Sequence, residues 1–213
     1  MAEWTRKQFS ANGITQYPPG PALSVVQSTL GGAVVLMIDV SGSMSGAPIQ
    51  SAVAGAKIFV DEAVAARYRV GLMLWNTGVT EVAAPTNTGM EARAILDRNP
   101  GASGGNHLLG PLEACHDLLR ESAGDRVVAL FGDGDLTPTD LVLEKVAAMK
   151  LEGIRFVTRG LGSRAAAAFG AISDEDPALS HVGSLEDLTS GIASMANSLG
   201  MVAGHAKTQG LES

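Results

Sequence analysis

Cysteine is almost absent from this chain: Cys115 stands alone among 213 residues, which excludes an internal disulfide and a thiolate zinc site. Aromatic residues are scarce, with two Trp, two Tyr and five Phe. Ala, Val, Leu and Ile must therefore fill most of the core, and such residues suit a parallel sheet covered by helices on both faces. Basic clusters are missing and the net charge is −7, so neither nucleic acid nor an anionic membrane surface is expected as a partner. No apolar run reaches the ~20 residues needed to span a bilayer. The polar start, Met1-Ala2-Glu3-Trp4-Thr5-Arg6-Lys7, has no apolar core behind it of the kind a signal peptide carries. A soluble, cytoplasmic protein is expected.

What is present fits one folded α/β domain, with 46% hydrophobic and 17% charged residues. Residues 1–30 contain Tyr17-Pro18-Pro19-Gly20-Pro21 and read as an arm, with an added edge strand over 23–30 left open. Residues 31–200 read as the domain and 201–213 as a flexible tail. Residues 33–40 form a continuous apolar run between glycines and a Ser/Gly turn, the mark of a buried central strand. Pro48 opens an Ala-rich helix to about residue 67. Further strands are predicted over 69–75, 127–131, 154–158 and 181–182, with an antiparallel return over 79–83. Helices are predicted over 90–98, 108–121, 140–150, 164–169 and 185–198. This alternation predicts a doubly wound, Rossmann-like α/β fold: a mostly parallel sheet, helices on both faces and one antiparallel edge strand. Such sheets bind ligands beyond the carboxyl ends of their strands, where the strand order reverses.

Oxygen-bearing side chains gather at those strand ends. Asp39, Ser41 and Ser43, with Gly42 between the serines, follow the first strand. Ser103-Gly104-Gly105-Asn106-His107 precedes the 108–121 helix, and Gly132-Asp133-Gly134-Asp135 ends the 127–131 strand. A hard cation such as Mg²⁺ takes about six oxygen ligands near ~2.1 Å and keeps several waters. Two hydroxyls two residues apart on a tight turn can point the same way, and Gly42 eases that turn. Asp39 and Asp133, ending adjacent strands, would repel one another without a cation. The lack of clustered Cys and His argues against zinc or copper. Each motif alone also reads as a helix cap or an ordinary Asp-Gly turn. Both together, each after a buried strand, favour a site for Mg²⁺ (or Mn²⁺).

Ile38-Asp39-Val40-Ser41-Gly42-Ser43-Met44 resembles the metal-ion-dependent adhesion site (MIDAS) of von Willebrand factor type A (VWA) domains, the fold shared with integrin I domains. Gly104-Gly105-Asn106 resembles that family's Gly-Gly-Thr loop, and Phe131-Gly132-Asp133-Gly134-Asp135 its Thr-Asp-Gly-Glu-like loop. Arg159-Gly160-Leu161-Gly162 resembles its Gly-x-Gly turn. The resemblance covers roughly residues 31–199. It implies a metal held directly by Ser41 and Ser43, with Asp39 and Asp133 acting through waters. Asn106 stands where the family has a threonine hydroxyl, so Asn106, Ser103 or a water would fill that position; Gly132 also replaces a frequent threonine. The resemblance further implies a protein-binding module whose metal accepts an acidic residue of another protein. Cytoplasmic members of the family act as assembly modules, often beside ATPases of the AAA+ class, and the final helix of the family can shift when a partner binds.

Other residues have plainer readings. His107 is a partner contact or an idle loop residue, Trp75 a core residue before it is a recognition anchor, and Cys115 a small buried side chain. Asp135 widens the acidic rim or caps the next helix. Gly132-Asp133-Gly134 also looks like a loop of haloacid dehalogenase-like phosphatases. That chemistry needs a second Asp two residues after the nucleophile, where Ser41 follows Asp39. A P-loop and a Gly-x-Ser-x-Gly elbow are both absent. The expectation is a non-enzymatic, divalent-metal-dependent protein-binding module. A Mg²⁺-dependent phosphohydrolase-like enzyme and a metal-independent scaffold are the alternatives.

Overall fold

The computed structural model describes residues 31–134, 136–137 and 139–199. The arm with its edge-strand option, the tail and Asp135 lie outside the described residues.

Six strands form the sheet: β1 (Ala33–Asp39), β2 (Arg69–Trp75), β3 (Val79–Thr86), β4 (Arg126–Gly132), β5 (Ile154–Leu161) and β6 (His181–Val182). Their order is β3-β2-β1-β4-β5-β6. All pairs are parallel except β2 with β3, which are antiparallel. The helices are α1 (Ala47–Ala65), α2 (Met90–Asp97), α3 (Leu109–Leu119), α4 (Thr139–Leu151), α5 (Ser163–Gly170) and α6 (Leu188–Ser194). This is the predicted α/β class, with its single antiparallel edge.

Helices on both faces explain why β1 is apolar up to its last residue, Asp39, with every residue buried. Val34, Leu36 and Ile38 share one core with Phe59 and Val60 of α1, Leu96 of α2 and Ile192 of α6. Ala33, Val35 and Met37 share the other with Leu112 and Cys115 of α3, Val146 of α4 and Phe169 of α5. The chain leaves β1 toward β2 and β3, then returns to place β4 on the other flank of β1. The strand order therefore reverses between β1 and β4, and the carboxyl ends of those two strands flank the crevice. No helix among the described residues is long and apolar enough to cross a membrane.

Three boundaries differ from the sequence expectation. β3 continues through Pro85 to Thr86, where the pairing with β2 shifts register between Val70 and Leu72, an irregularity on an edge strand that accommodates a residue with no amide to donate. β5 continues to Leu161, so Arg159, Gly160 and Leu161 are strand residues and the turn falls at Gly162, with φ +82°. Gly160 pairs with Gly132 on one side and His181 on the other. A Cβ at Gly160 would sit 2.4 Å from the carbonyl carbon of Ala165, so the glycine serves close packing of α5 on the strand. The final α-helix starts only at Leu188 and gives way to a 3-10 turn over Met195–Ser198. Residues 184–187 form a separate turn, in which the Ser184 hydroxyl donates to Asp187 Oδ2 at 2.8 Å.

At the opposite end of the sheet, Asp125 ties several segments together. It accepts two bonds from Arg155, at 2.9 and 2.5 Å, and one from the Tyr68 hydroxyl at 2.7 Å. Burial raises the Asp125 carboxyl, but the bonds from Arg155 and Tyr68 outweigh it and hold the group below its usual range. A depressed folded value stabilises the fold above the unfolded carboxyl range and is lost as pH falls through the folded value. Asp125→Asn is thus expected to cost about 1–3 kcal/mol near neutral pH. The difference from the parent should shrink below about pH 4. Urea midpoints at neutral and acid pH check this, and an equal penalty at both would contradict it.

Candidate metal centre

β1 ends at Asp39, whose side chain is fully buried. Its Oδ1 accepts the Ser41 backbone N–H at 2.8 Å, an Asx-type bond that turns the chain at once. A 3-10 turn over Gly42–Met44 follows. The Ser43 hydroxyl donates to Asp133 Oδ1 at 2.8 Å. With its single proton so used, it accepts from Ser41 Oγ, 3.1 Å away. A directed chain of oxygens thus runs from Ser41 through Ser43 to Asp133, just beyond the ends of β1 and β4.

The 99–107 loop closes the third side. Gly42 N–H donates to the Gly104 carbonyl at 3.0 Å and Ser103 N–H to the Val40 carbonyl at 2.8 Å. Asn76, directly after β2, bolts the same loop: its amide donates to the Ser103 carbonyl at 2.8 Å, and its carbonyl accepts the His107 N–H at 2.8 Å. Asn106 is thereby carried inward until its Nδ2 lies 3.4 Å from Asp39 Oδ2. A carboxylate there selects the amide nitrogen over the oxygen. Asn106 Oδ1 is left buried and without a hydrogen-bond partner, a costly state for an amide oxygen.

Both glycines flanking Asp133 are fixed by this packing. A Cβ at Gly132 would lie 3.1 Å from Asp39 Cβ and 3.0 Å from Phe169 Cζ. A side chain there would have to displace one of these two neighbours by a few tenths of an ångström. A Cβ at Gly134 would lie 1.8 Å from Asn106 Nδ2, so Asn106 occupies space that any other residue at 134 would need. The electrostatics follow from the same geometry. Burial, helped by the nearby Asp133 charge, pushes the Asp39 carboxyl up to about 6 against hydrogen bonds from Ser41.

The structure brings together Asp39, Ser41, Ser43, Asn106 and Asp133. Ser103 contributes its backbone to the loop. His107 is exposed. Trp75 is wholly buried in the core, with its indole N–H unpartnered. Cys115 is buried on α3, and burial pushes its thiol up. Among the described residues there is no group of three or more His, Cys, Asp or Glu, so the donors here are two carboxylates, two hydroxyls and an amide. The part played by Asn76 was not anticipated, its only signal being a polar residue directly after a strand.

Residues 34–135, just under half of the chain, match the family model of the von Willebrand factor type A domain. The described residues have the VWA fold. Among solved structures, the vWF domain of the type V pili tip protein Mfa5 from Porphyromonas gingivalis superposes with a TM-score of 0.67 at 13% identity, over 80% of this chain and 95% of that one. The pilus adhesin SpaC from Lactobacillus rhamnosus GG gives 0.66 at 13% identity, over 80% of this chain and 31% of that one. Proximal thread matrix protein 1 from the mussel byssus, with a zinc-occupied MIDAS motif, gives 0.59 at 16% identity, over 78% of this chain and 47% of that one. This chain therefore spans about a third of the adhesin and about half of the mussel protein. At these identities the VWA fold is what is shared. No curated protein matches the chain in sequence.

The contact between Asn106 and Gly134 makes a direct test of this geometry. Gly134→Ala is expected to push the Asn106 amide off Asp39 at a cost below about 1 kcal/mol, since only a side-chain tip must move. The Asn106 side-chain NH₂ resonances report the change; unshifted resonances would contradict the packing described.

Proposed function

We propose that this domain binds another protein through a divalent cation, Mg²⁺ or Mn²⁺, held by Ser41 and Ser43 with Asp39 and Asp133 behind them. The supporting observation is the oxygen spacing. Ser41 Oγ to Ser43 Oγ is 3.1 Å and Ser43 Oγ to Asp133 Oδ1 is 2.8 Å. Oxygens at adjacent corners of an octahedron with a ~2.1 Å metal–oxygen distance are about 3.0 Å apart, the spacing of the two serine hydroxyls, while Asp133 stands behind them, bonded to Ser43. The unpartnered Asn106 Oδ1 and the paired carboxylates supply the remaining negative potential.

A bound divalent cation would offer a positive charge with an open coordination position, to which an acidic partner side chain can bind. This chain's own residues do the rest. Gly42, Ser103 and Asn76 hold the three loops in register, so the oxygens need little rearrangement. Asp39 stays beneath the serines, excluded from solvent, where its charge is least screened. Binding is favoured over hydrolysis because Ser41 stands two residues after Asp39, where the phosphohydrolase chemistry needs a second Asp.

Calorimetric titration with Mg²⁺ and Mn²⁺ tests the reading. The Ser41→Ala, Ser43→Ala double variant is expected to lose at least about tenfold in affinity, a change of about 1.4 kcal/mol. Indistinguishable heats for the two proteins would refute it. At a hundredfold excess over the parent's Kd, Mg²⁺ is also expected to raise the parent's unfolding free energy, read by urea titration, by about 2.7 kcal/mol, and that of the double variant by about 1.4 kcal/mol or less.

A further inference from the structure

A groove of about 540 Å³ opens between the first turn of α1 and the 99–102 segment. Its floor is apolar, formed by Ile49 and Val53, both more than nine-tenths buried. Its walls include Ser45 and Gln50 on one side and Pro100 and Ala102 on the other. None of its lining side chains is charged. In a chain with a net charge of −7, an uncharged recess beside two carboxylates is a distinct environment.

The groove and the oxygen cluster lie between the same two loops. Ser45 is two residues beyond Ser43, and its hydroxyl donates to the Ala102 carbonyl at 3.1 Å. On the facing loop, Ala102 is followed by Ser103 and Gly104, which bond to Val40 and Gly42. One side of this double wall thus serves the cluster and the other the groove. Ser45 lines the groove two residues beyond Ser43, so the rim lies no more than about 7 Å of chain from the cluster, a span that matches the about 6.7 Å between same-face residues i and i+2 of an extended ligand.

We propose that the groove receives an aliphatic side chain of the same partner segment whose carboxylate binds at the metal. The partner is then an extended segment with an Asp or Glu and a Leu, Ile, Val or Met two residues away. The proposal rests on the metal-dependent reading above and adds selectivity to it. The metal recognises a carboxylate of any protein, whereas the groove restricts which acidic residues dock. The recess, whose polar lining is Ser45, Gln50 and Asn99, offers a Lys, Arg, Asp or Glu no opposite charge, whereas an aliphatic side chain gains by covering the floor of Ile49 and Val53.

The test uses a phage-displayed library of random 12-residue peptides, selected on the full chain in Mn²⁺ and eluted with EDTA. Selected peptides are expected to share an acidic residue with an aliphatic residue two positions away. The comparison variant is Gly101→Trp: the glycine lines the groove, and nothing stands within 4 Å of the Cβ it would gain. On this variant the aliphatic preference should disappear while the acidic preference persists. Its Mn²⁺ affinity, read by electron paramagnetic resonance, should match the parent, which also shows that the variant is folded. An acidic preference with no aliphatic companion, or an aliphatic preference unchanged on Gly101→Trp, overturns the groove assignment and leaves the metal reading standing. Peptides that EDTA does not release, or absent Mn²⁺ binding, overturn both.

Discussion

Two carboxylates forced into one crevice set the terms for everything around them. β1 and β4 are parallel neighbours whose chains end together, Ile38 opposite Phe131, so Asp39 and Asp133 must emerge side by side. Asp39 is buried, and its carboxyl is pushed up to about 6 as a consequence. The surrounding structure answers that concentration of negative charge with donors: the Ser41 amide on Asp39, the Ser43 hydroxyl on Asp133 and the Asn106 amide near Asp39. Neutral donors offset the repulsion only in part. A divalent cation would offset it directly, and the Ser41 and Ser43 hydroxyl oxygens stand 3.1 Å apart, close to the spacing of neighbouring oxygens on such an ion.

The two departures from the family pattern are linked to this packing. Gly132 stands where the motif it resembles has a frequent threonine, and a Cβ there would press on Asp39 and Phe169 at 3.0–3.1 Å. Asn106 stands where a hydroxyl is frequent, and its longer amide fills the space above Gly134. At 13–16% identity to the structures compared, the sheet is common property. What the domain recognises depends on the loops set upon it.

Much of this was readable in advance, for a physical reason. A buried parallel strand must be apolar along its whole length, so β1, β2, β4 and most of β5 announce themselves as runs of Val, Leu, Ile, Met and Ala. Polar residues immediately after such runs fall on one edge of the sheet, which brought Asp39, Ser41, Ser43 and Asp133 forward together. The rest depends on contacts between distant segments that leave no local trace. Asn76 holds the Ser103 loop from 27 residues away. Gly160 reads as a turn residue until α5 is seen packed against it. The groove beside Ser45 exists only because Ala102, 57 residues later, folds onto the same turn.

The central claim is that Ser41, Ser43 and the carboxylates of Asp39 and Asp133 enclose a hard cation. Crystals grown with Mn²⁺ and measured on both sides of the manganese absorption edge test it most directly. The account predicts an anomalous peak about 2.2 Å from Ser41 Oγ and Ser43 Oγ. It would be contradicted by a peak elsewhere on the surface, or by no peak at all with the two serine hydroxyls still bonded to each other.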